Sequence, residues 1–200
     1  MPRRVDHEER RAELVDATRR VILRDGIEAA TTRRIAREAG FSSGVLTHYF
    51  ADKEEIMQSA LRVSHRRRAA RLRSKVAGRS GLAALRALLL DTLPLDDRRA
   101  RENGLEVCFW SRSLTSPALR RAQREEAAER RRLVRAQLAA ALENGDIATD
   151  ENLDDVTERL LALVDGLSVH GLLYPDRVDA ARIERLLDAE LDRLRRDAVA

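Results

Sequence analysis

The chain has 200 residues, 44% of them hydrophobic, and a chain of that length buries roughly 70% of its unfolded surface, so a sizeable core is expected. Its 38 Lys+Arg against 34 Asp+Glu leave a net charge of +4, a dense but mixed charge that points to a local basic surface and not to a basic tail. A single cysteine, Cys108, excludes an internal disulfide and a cysteine-rich zinc site, and no run reaches the roughly eighteen apolar residues of a membrane span, so a soluble cytoplasmic protein is expected.

Residues 2–7 read as a loose basic arm in which Arg3 and Arg4 could reach a nucleic-acid groove or its phosphates. The first helix is expected from Glu8 to Asp25, because Leu14, Ala17 and Val21 fall on one stripe beside Val15, Thr18 and Ile22, and Gly26 stops it. Thr31 can cap a second helix running to Ala39, with Ile35, Ala36 and Ala39 inward, and Gly40 supplies the positive φ of a sharp turn. Ser42 can cap a short third helix that turns Val45, Leu46 and Phe50 inward and Ser43, Gly44, Thr47 and His48 outward. Asp52 and Glu55 form a capping box for a fourth helix that carries Ile56, Ala60, Leu61 and Val63 and ends near Ala77.

After the break at 78–81, a helix from Leu82 ends at Pro94, and LDDRR reads as a charged connection to a helix over Ala100 to Leu114. Ser116 and Pro117 launch a long helix that Gly145 stops, the next runs from beyond Asp150 to Pro175, and the last covers Asp179 to Arg195. No segment shows period-two alternation, so the fold class is all-α with about nine helices. The division expected is residues 1–56 as a three-helix domain and 57–200 as a larger helical domain.

A short helix, a glycine turn and a second short helix make a helix-turn-helix, whose second helix lies in the major groove with its first residues near base edges. Ser43, Gly44, Thr47 and His48 suit base reading, since glycine permits close approach and hydroxyl or imidazole groups meet donors and acceptors. Tyr49 and Lys53 suit backbone phosphates, as do Thr32 and Arg33 at the start of the second helix, where free amides favour an anion. The plainer reading of the same stretch is a helical hairpin with a solvated polar face. Arg66, Arg67 and Arg68 lie about 20 Å along the fourth helix from Lys53 and read as solvated.

The signature T-x-x-x-I-A-x-x-A-G over Thr31 to Gly40, followed by S-x-G-x-L-x-H-Y-F-x-x-K over Ser42 to Lys53, resembles the N-terminal domain of TetR-family transcriptional regulators. RENGLEVCFWSRSLTSPALR and VDGLSVHGL resemble the BetI-type branch of that family. Phe41 stands where many relatives carry valine, and Thr47 where many carry tyrosine. The resemblance implies an all-helical homodimer that binds a palindromic operator and is released by a small-molecule effector, with a repressor role and no cofactor or metal. It places Leu160, Val164, Leu167, Gly171, Leu186, Leu187 and Leu194 near a dimer interface built from the last two helices, the other reading of the same leucines being the chain's own core. Bulky side chains with polar tips, Glu106, Phe109, Trp110, Arg112, His170 and Tyr174, are the candidates for the effector pocket.

An enzyme is not expected, because G-x-S-x-G, H-E-x-x-H, a phosphate-cradling glycine loop and C-x-x-C are all absent. The rival to DNA binding is a helical protein-interaction scaffold. Salt dependence separates the two, since affinity for a palindrome falls steeply with salt when phosphates are contacted.

Overall fold

A computed structural model describes residues 7–196, except for the side chains of Ser43 and Arg196, so the arm with Arg3 and Arg4 lies outside the described residues. Among the described residues there are nine α-helices and no strand. They are α1 (His7–Asp25), α2 (Thr32–Glu38), α3 (Leu46–Tyr49, preceded by a 3-10 turn at Ser43–Val45), α4 (Lys53–Val76) and α5 (Gly81–Asp91). Then follow α6 (Asp97–Ser113), α7 (Pro117–Glu143), α8 (Leu153–Leu173) and α9 (Ala180–Arg196). The chain forms two compact units, residues 1–67 with 104–124, and residues 68–103 with 125–200.

In the first unit the α1 stripe is buried as its spacing requires: Leu14, Ala17 and Val21 are 0% exposed. They pack with Ile35 and Ala36 of α2, Leu46, Phe50, and Ile56, Met57, Ala60 and Leu61 of α4. Burying a large aliphatic side chain stabilises by about 1.5–3 kcal/mol, so this cluster is what holds the short α2 and α3, which could not persist alone. Leu105 and Phe109 of α6, with Leu119 and Ala122 of α7, close the same core. The capping box of α4 forms, with Asp52 Oδ1 accepting from the Glu55 N–H at 2.8 Å. Glu55 Oε2 in turn accepts from the N–H of Ala51, at 2.7 Å, one residue earlier than the motif predicts.

The second unit buries Leu85, Leu88 and Leu89 of α5 against Val134 and Leu138 of α7, Val156, Leu160 and Val164 of α8, and Ile183, Leu187, Leu191 and Leu194 of α9. Two forked ion pairs flank this core: Arg86 to Asp188 at 2.6 and 2.9 Å, and Arg130 to Asp165 at 2.7 and 3.0 Å. α6 starts three residues earlier than expected, because Asp96 Oδ1 caps the Arg99 N–H at 2.8 Å and turns part of the charged connection into the helix start.

Of the residues expected at a dimer interface, Leu160, Val164, Leu167, Leu187 and Leu194 are buried in the chain's own core, the other reading of those positions. Gly171 is also spent internally: a Cβ there would stand 2.7 Å from Ile183 Cδ1 and 3.1 Å from Pro94 Cγ, so its missing side chain lets neighbouring segments approach. Leu186 remains outside, 44% exposed. The physical reason is that α8 carries apolar side chains on more than one stripe, and periodicity alone does not say which stripe faces the chain's own core.

Candidate nucleic-acid interface

Thr31, extended at φ −81° and ψ 155°, accepts the Arg34 N–H on its hydroxyl and starts α2 as expected. The helix ends in a tight motif: Gly40 takes φ +77°, its N–H bonds the Arg37 carbonyl at 3.1 Å, and the Phe41 N–H reaches back to the Ala36 carbonyl at 2.9 Å. That glycine redirects the chain into the Ser43–Val45 turn. Ser42 does not cap it through its side chain; the turn is closed by the backbone, Val45 N–H to the Ser42 carbonyl at 3.1 Å.

α3 is only four residues long, and α1 holds it in place. Arg11 donates to the Tyr49 carbonyl oxygen at the end of α3, to Glu55 Oε1 at 2.8 Å and to Ser59 Oγ at 3.3 Å, with its guanidinium 4.2 Å from the Phe50 ring centroid. The His7 ring stands 4.5 Å from the Tyr49 ring, and Arg10 covers Phe41 at 4.8 Å. Three aromatic side chains of the reading segment thus rest against the first turn and a half of α1. Arg11 was missed at the sequence level because an arginine on an amphipathic helix reads as solvated.

Arg11→Gln is expected to lower stability by about 1–2 kcal/mol, the range for losing a charge-assisted network that remains partly wet. The acid side of the stability profile should change too. Backbone donation from Ala51, then the Arg11 guanidinium, holds the Glu55 carboxyl below its ordinary value of 4.5. Because the folded value is the lower one, this stabilisation is present above about pH 4.5 and is lost as pH falls through the folded value. In Arg11→Gln the acid-induced loss between neutral pH and pH 3 should be shallower than in the parent, measured by thermal melts across pH; identical slopes would reject the role of Arg11.

Gly44, Thr47 and His48 are exposed, as a reading set must be, while the Ser43 side chain lies outside the described residues. The Thr47 hydroxyl donates to the Gly44 carbonyl at 2.8 Å, so toward a base it presents an acceptor and a methyl group. Of the expected phosphate contacts, Thr32 and Arg33 are exposed in the first turn of α2, Lys53 opens α4, and Tyr49 is half-buried.

Around them, charge is sorted. Arg20 and Arg24 pair with Glu38 at 2.9 and 2.8 Å, and Arg24 and Arg34 meet Asp25 at 3.0 and 3.3 Å, which ties α2 to the end of α1. Arg33 and Arg37, one turn apart and exposed, make no ion pair among the described residues. With Thr31, Arg34 and Phe41 they line an open depression of ≈ 540 Å³. Arg37 is a phosphate candidate that the sequence reading passed over; its spacing of four from Arg33 was the available signal.

The residues expected at an effector pocket fall in different settings. Glu106 is buried, accepts the Trp110 Nε1–H at 3.1 Å and lies 3.4 Å from His65 Nε2. Phe109, 0% exposed, belongs to the hydrophobic core of the first unit. Arg112 stands 4.0 Å from Glu28 at the surface. His170 and Tyr174, in the second unit, are exposed and pair edge to face at 5.5 Å. His65 is a further polar group beside Glu106 that sequence spacing did not single out.

Residues 14–60 match the family described as bacterial regulatory proteins, tetR family, and residues 81–196 match the family described as BetI-type transcriptional repressor, C-terminal. The chain is 36% identical over 190 residues to the HTH-type transcriptional regulator PksA of Bacillus subtilis, covering 94% of this chain and 90% of that one. It is 30% identical over 202 residues to the HTH-type transcriptional regulator BetI of Burkholderia mallei, covering 97% of each. A transcriptional regulator from Rhodococcus sp. superposes with a TM-score of 0.80 at 32% identity, covering 92% of this chain and 95% of that one. A regulator from Saccharomonospora viridis, solved with choline, has the same fold with a TM-score of 0.84 at 21% identity, covering 92% and 96%. With an N-terminal helix-turn-helix clamped by its first helix and matches that together span most of its length, this chain belongs to the TetR family of bacterial transcriptional regulators, with a C-terminal region of the BetI type.

Proposed function

We propose that the protein acts as a homodimeric repressor that binds a palindromic operator and is released by a small-molecule effector. The observation that carries this reading is the exposed trio Gly44, Thr47 and His48 on a segment that α1 anchors at Tyr49, Phe50 and Phe41. A merely solvated face has no need of that anchoring. We assign residues 1–56 to DNA reading and 57–200 to effector binding and dimerisation. Ser43, Gly44, Thr47 and His48 read bases, and Thr32, Arg33, Tyr49 and Lys53, joined by Arg37, hold phosphates.

For the subunit contact, the exposed stripe of α8 is the favoured face: Ala162, Gly166, His170 and Leu173 recur at helical spacing, and Leu186 of α9 is exposed as well. Gly166 has open space where a Cβ would be, so nothing within the chain requires a glycine there, whereas a close approach of a second copy would. A twofold dimer would set the two reading segments about 34 Å apart. For the effector, the buried Glu106 carboxylate beside Trp110 and His65 suits a ligand with a positive charge or a hydrogen-bond donor. The choline-bound neighbour raises a choline-type cation as one case, which calls for an aromatic cage. Phe109 is committed to the core, so Trp110 is the aromatic group available beside Glu106.

Selection of bound duplexes from a random pool tests the reading directly, because the recovered site reports palindromy, half-site spacing and base preference together. His48→Ala is expected to change which bases are preferred within a half-site, by about 1–3 kcal/mol at one position. Lys53→Ala should instead weaken binding to all sequences alike and reduce the salt slope by about one. Unchanged operator discrimination in His48→Ala would remove that residue from the reading set. Equal binding to random duplex and to any selected site would favour the scaffold.

A further inference from the structure

Helices α1 and α4 line a groove of ≈ 370 Å³ in the first unit, and Arg11, which also bonds the end of α3, is among its lining residues. Its floor includes the small apolar side chains Ala12, Val15 and Val63, with the Ser59 hydroxyl beside them. Its α4 wall carries Arg62 and Arg66, exposed and four residues apart, which places their Cβ atoms about 5–6 Å from each other. Like charges at that spacing repel, and neither guanidinium has an ion pair or hydrogen bond among the described residues.

The acidic groups around the groove are already committed. Asp16 accepts from both Arg19 and Arg67 at 3.1 Å; burial alone would raise its pKa, yet those two arginines hold it below the ordinary value. Glu55 is held by Arg11 and by the Ala51 N–H, and Glu8 is likewise engaged. The groove therefore sets two cationic groups that lack counter-charges beside the apolar atoms of Ala12, Val15 and Val63. Nor is DNA the natural partner, since Arg62 and Arg66 lie about 14 and 20 Å along α4 from Lys53.

We infer that this groove is a second ligand site, selective for a small organic dianion whose two acidic groups are separated by a short aliphatic chain. Each acidic group takes one of the free guanidiniums, relieving their repulsion, and the methylenes rest on Ala12, Val15 and Val63. The spacing of Arg62 and Arg66 favours a chain of about three methylenes, as in glutarate, and a monocarboxylate of similar size can engage only one arginine at a time.

Calorimetric titration of the full chain at low ionic strength, with glutarate as probe and butyrate as control, tests the assignment. Glutarate should saturate one site per chain and bind about tenfold more tightly than butyrate, the difference expected for one charge-assisted hydrogen-bonding group. R62Q/R66Q should lose glutarate binding by about tenfold or more while keeping its melting temperature. R33Q/R37Q, which removes the same charge from α2, should bind glutarate like the parent. Ala12→Gln, which fills the floor and leaves every charge in place, should also weaken binding. Absence of saturation, an equal loss in R33Q/R37Q, or saturation by an acidic peptide with glutarate inert would each overturn the proposal.

Discussion

Gly44→Leu is expected to lower operator affinity by about 100-fold or more while leaving the fold intact, the loss of roughly two base-contacting interactions. Gly44 lies in the Ser43–Val45 turn, is exposed, and is not among the glycines with positive φ, so a side chain there costs no left-handed backbone strain. A Cβ at this position would meet no protein atom within 4 Å. The added leucine therefore has nothing in the protein to disturb and projects into space that the reading turn leaves open. If that turn approaches base edges, four extra carbon atoms hold it away from them, and the neighbours Thr47 and His48 lose reach together. Anisotropy on a selected operator would measure the loss, and the melting temperature should stay within about 2 °C of the parent, as for a surface change of a few tenths of a kcal/mol. A variant that keeps full affinity would show that the base-reading face lies elsewhere on the unit.

Much of the architecture could be read from one-dimensional pattern because the ends of the helices in the first unit are strongly signalled. Thr31, Gly40, Asp52 and Glu55 act at the ends of their helices much as their chemistry requires, and the inward set of α1 is buried residue for residue. What could not be read was the choice among equivalent partners. Arg11 and Arg19 are both arginines on α1, yet one closes on the end of α3 and the other on Asp16 and Ser64, a difference set by where α4 passes. The same limit governs α8 and α9. Leu160, Val164, Leu167, Leu187 and Leu194 are good interface residues by type, and packing within the chain uses them first. What remains outside, Gly166, Leu173, Tyr174 and Leu186, is less conspicuous in sequence, since a stripe mixing small, polar and apolar groups lacks the clean periodicity of a core face.

Gly81→Ala is the substitution expected to damage stability most, by about 3–4 kcal/mol, through a clash added to backbone strain. Gly81 opens α5 with φ +67°, a conformation that costs a residue with a side chain about 1–2 kcal/mol. A Cβ there would stand 2.4 Å from Asp146 Oδ2, 2.7 Å from Asn144 Nδ2 and 3.3 Å from Ala141 Cα. The Asp146 carboxylate cannot simply swing aside. It accepts the Leu82 N–H at 3.0 Å, satisfying a free amide at the α5 start where a negative charge is also favoured. Its own N–H bonds the Ala141 carbonyl at 2.8 Å in the turn that ends α7. One methyl group therefore sets the start of α5 against the end of α7. Gly78→Ala provides the control, since Gly78 has φ +72° but open space around its Cβ position, so strain acts there without a clash. For a chain of this size each kcal/mol shifts the melting temperature by about 2–4 °C, so Gly81→Ala should melt roughly 10 °C below the parent and Gly78→Ala only about 3–5 °C below it. Equal losses in the two variants would mean that the Asp146 turn yields freely and that backbone strain alone keeps glycine at position 81.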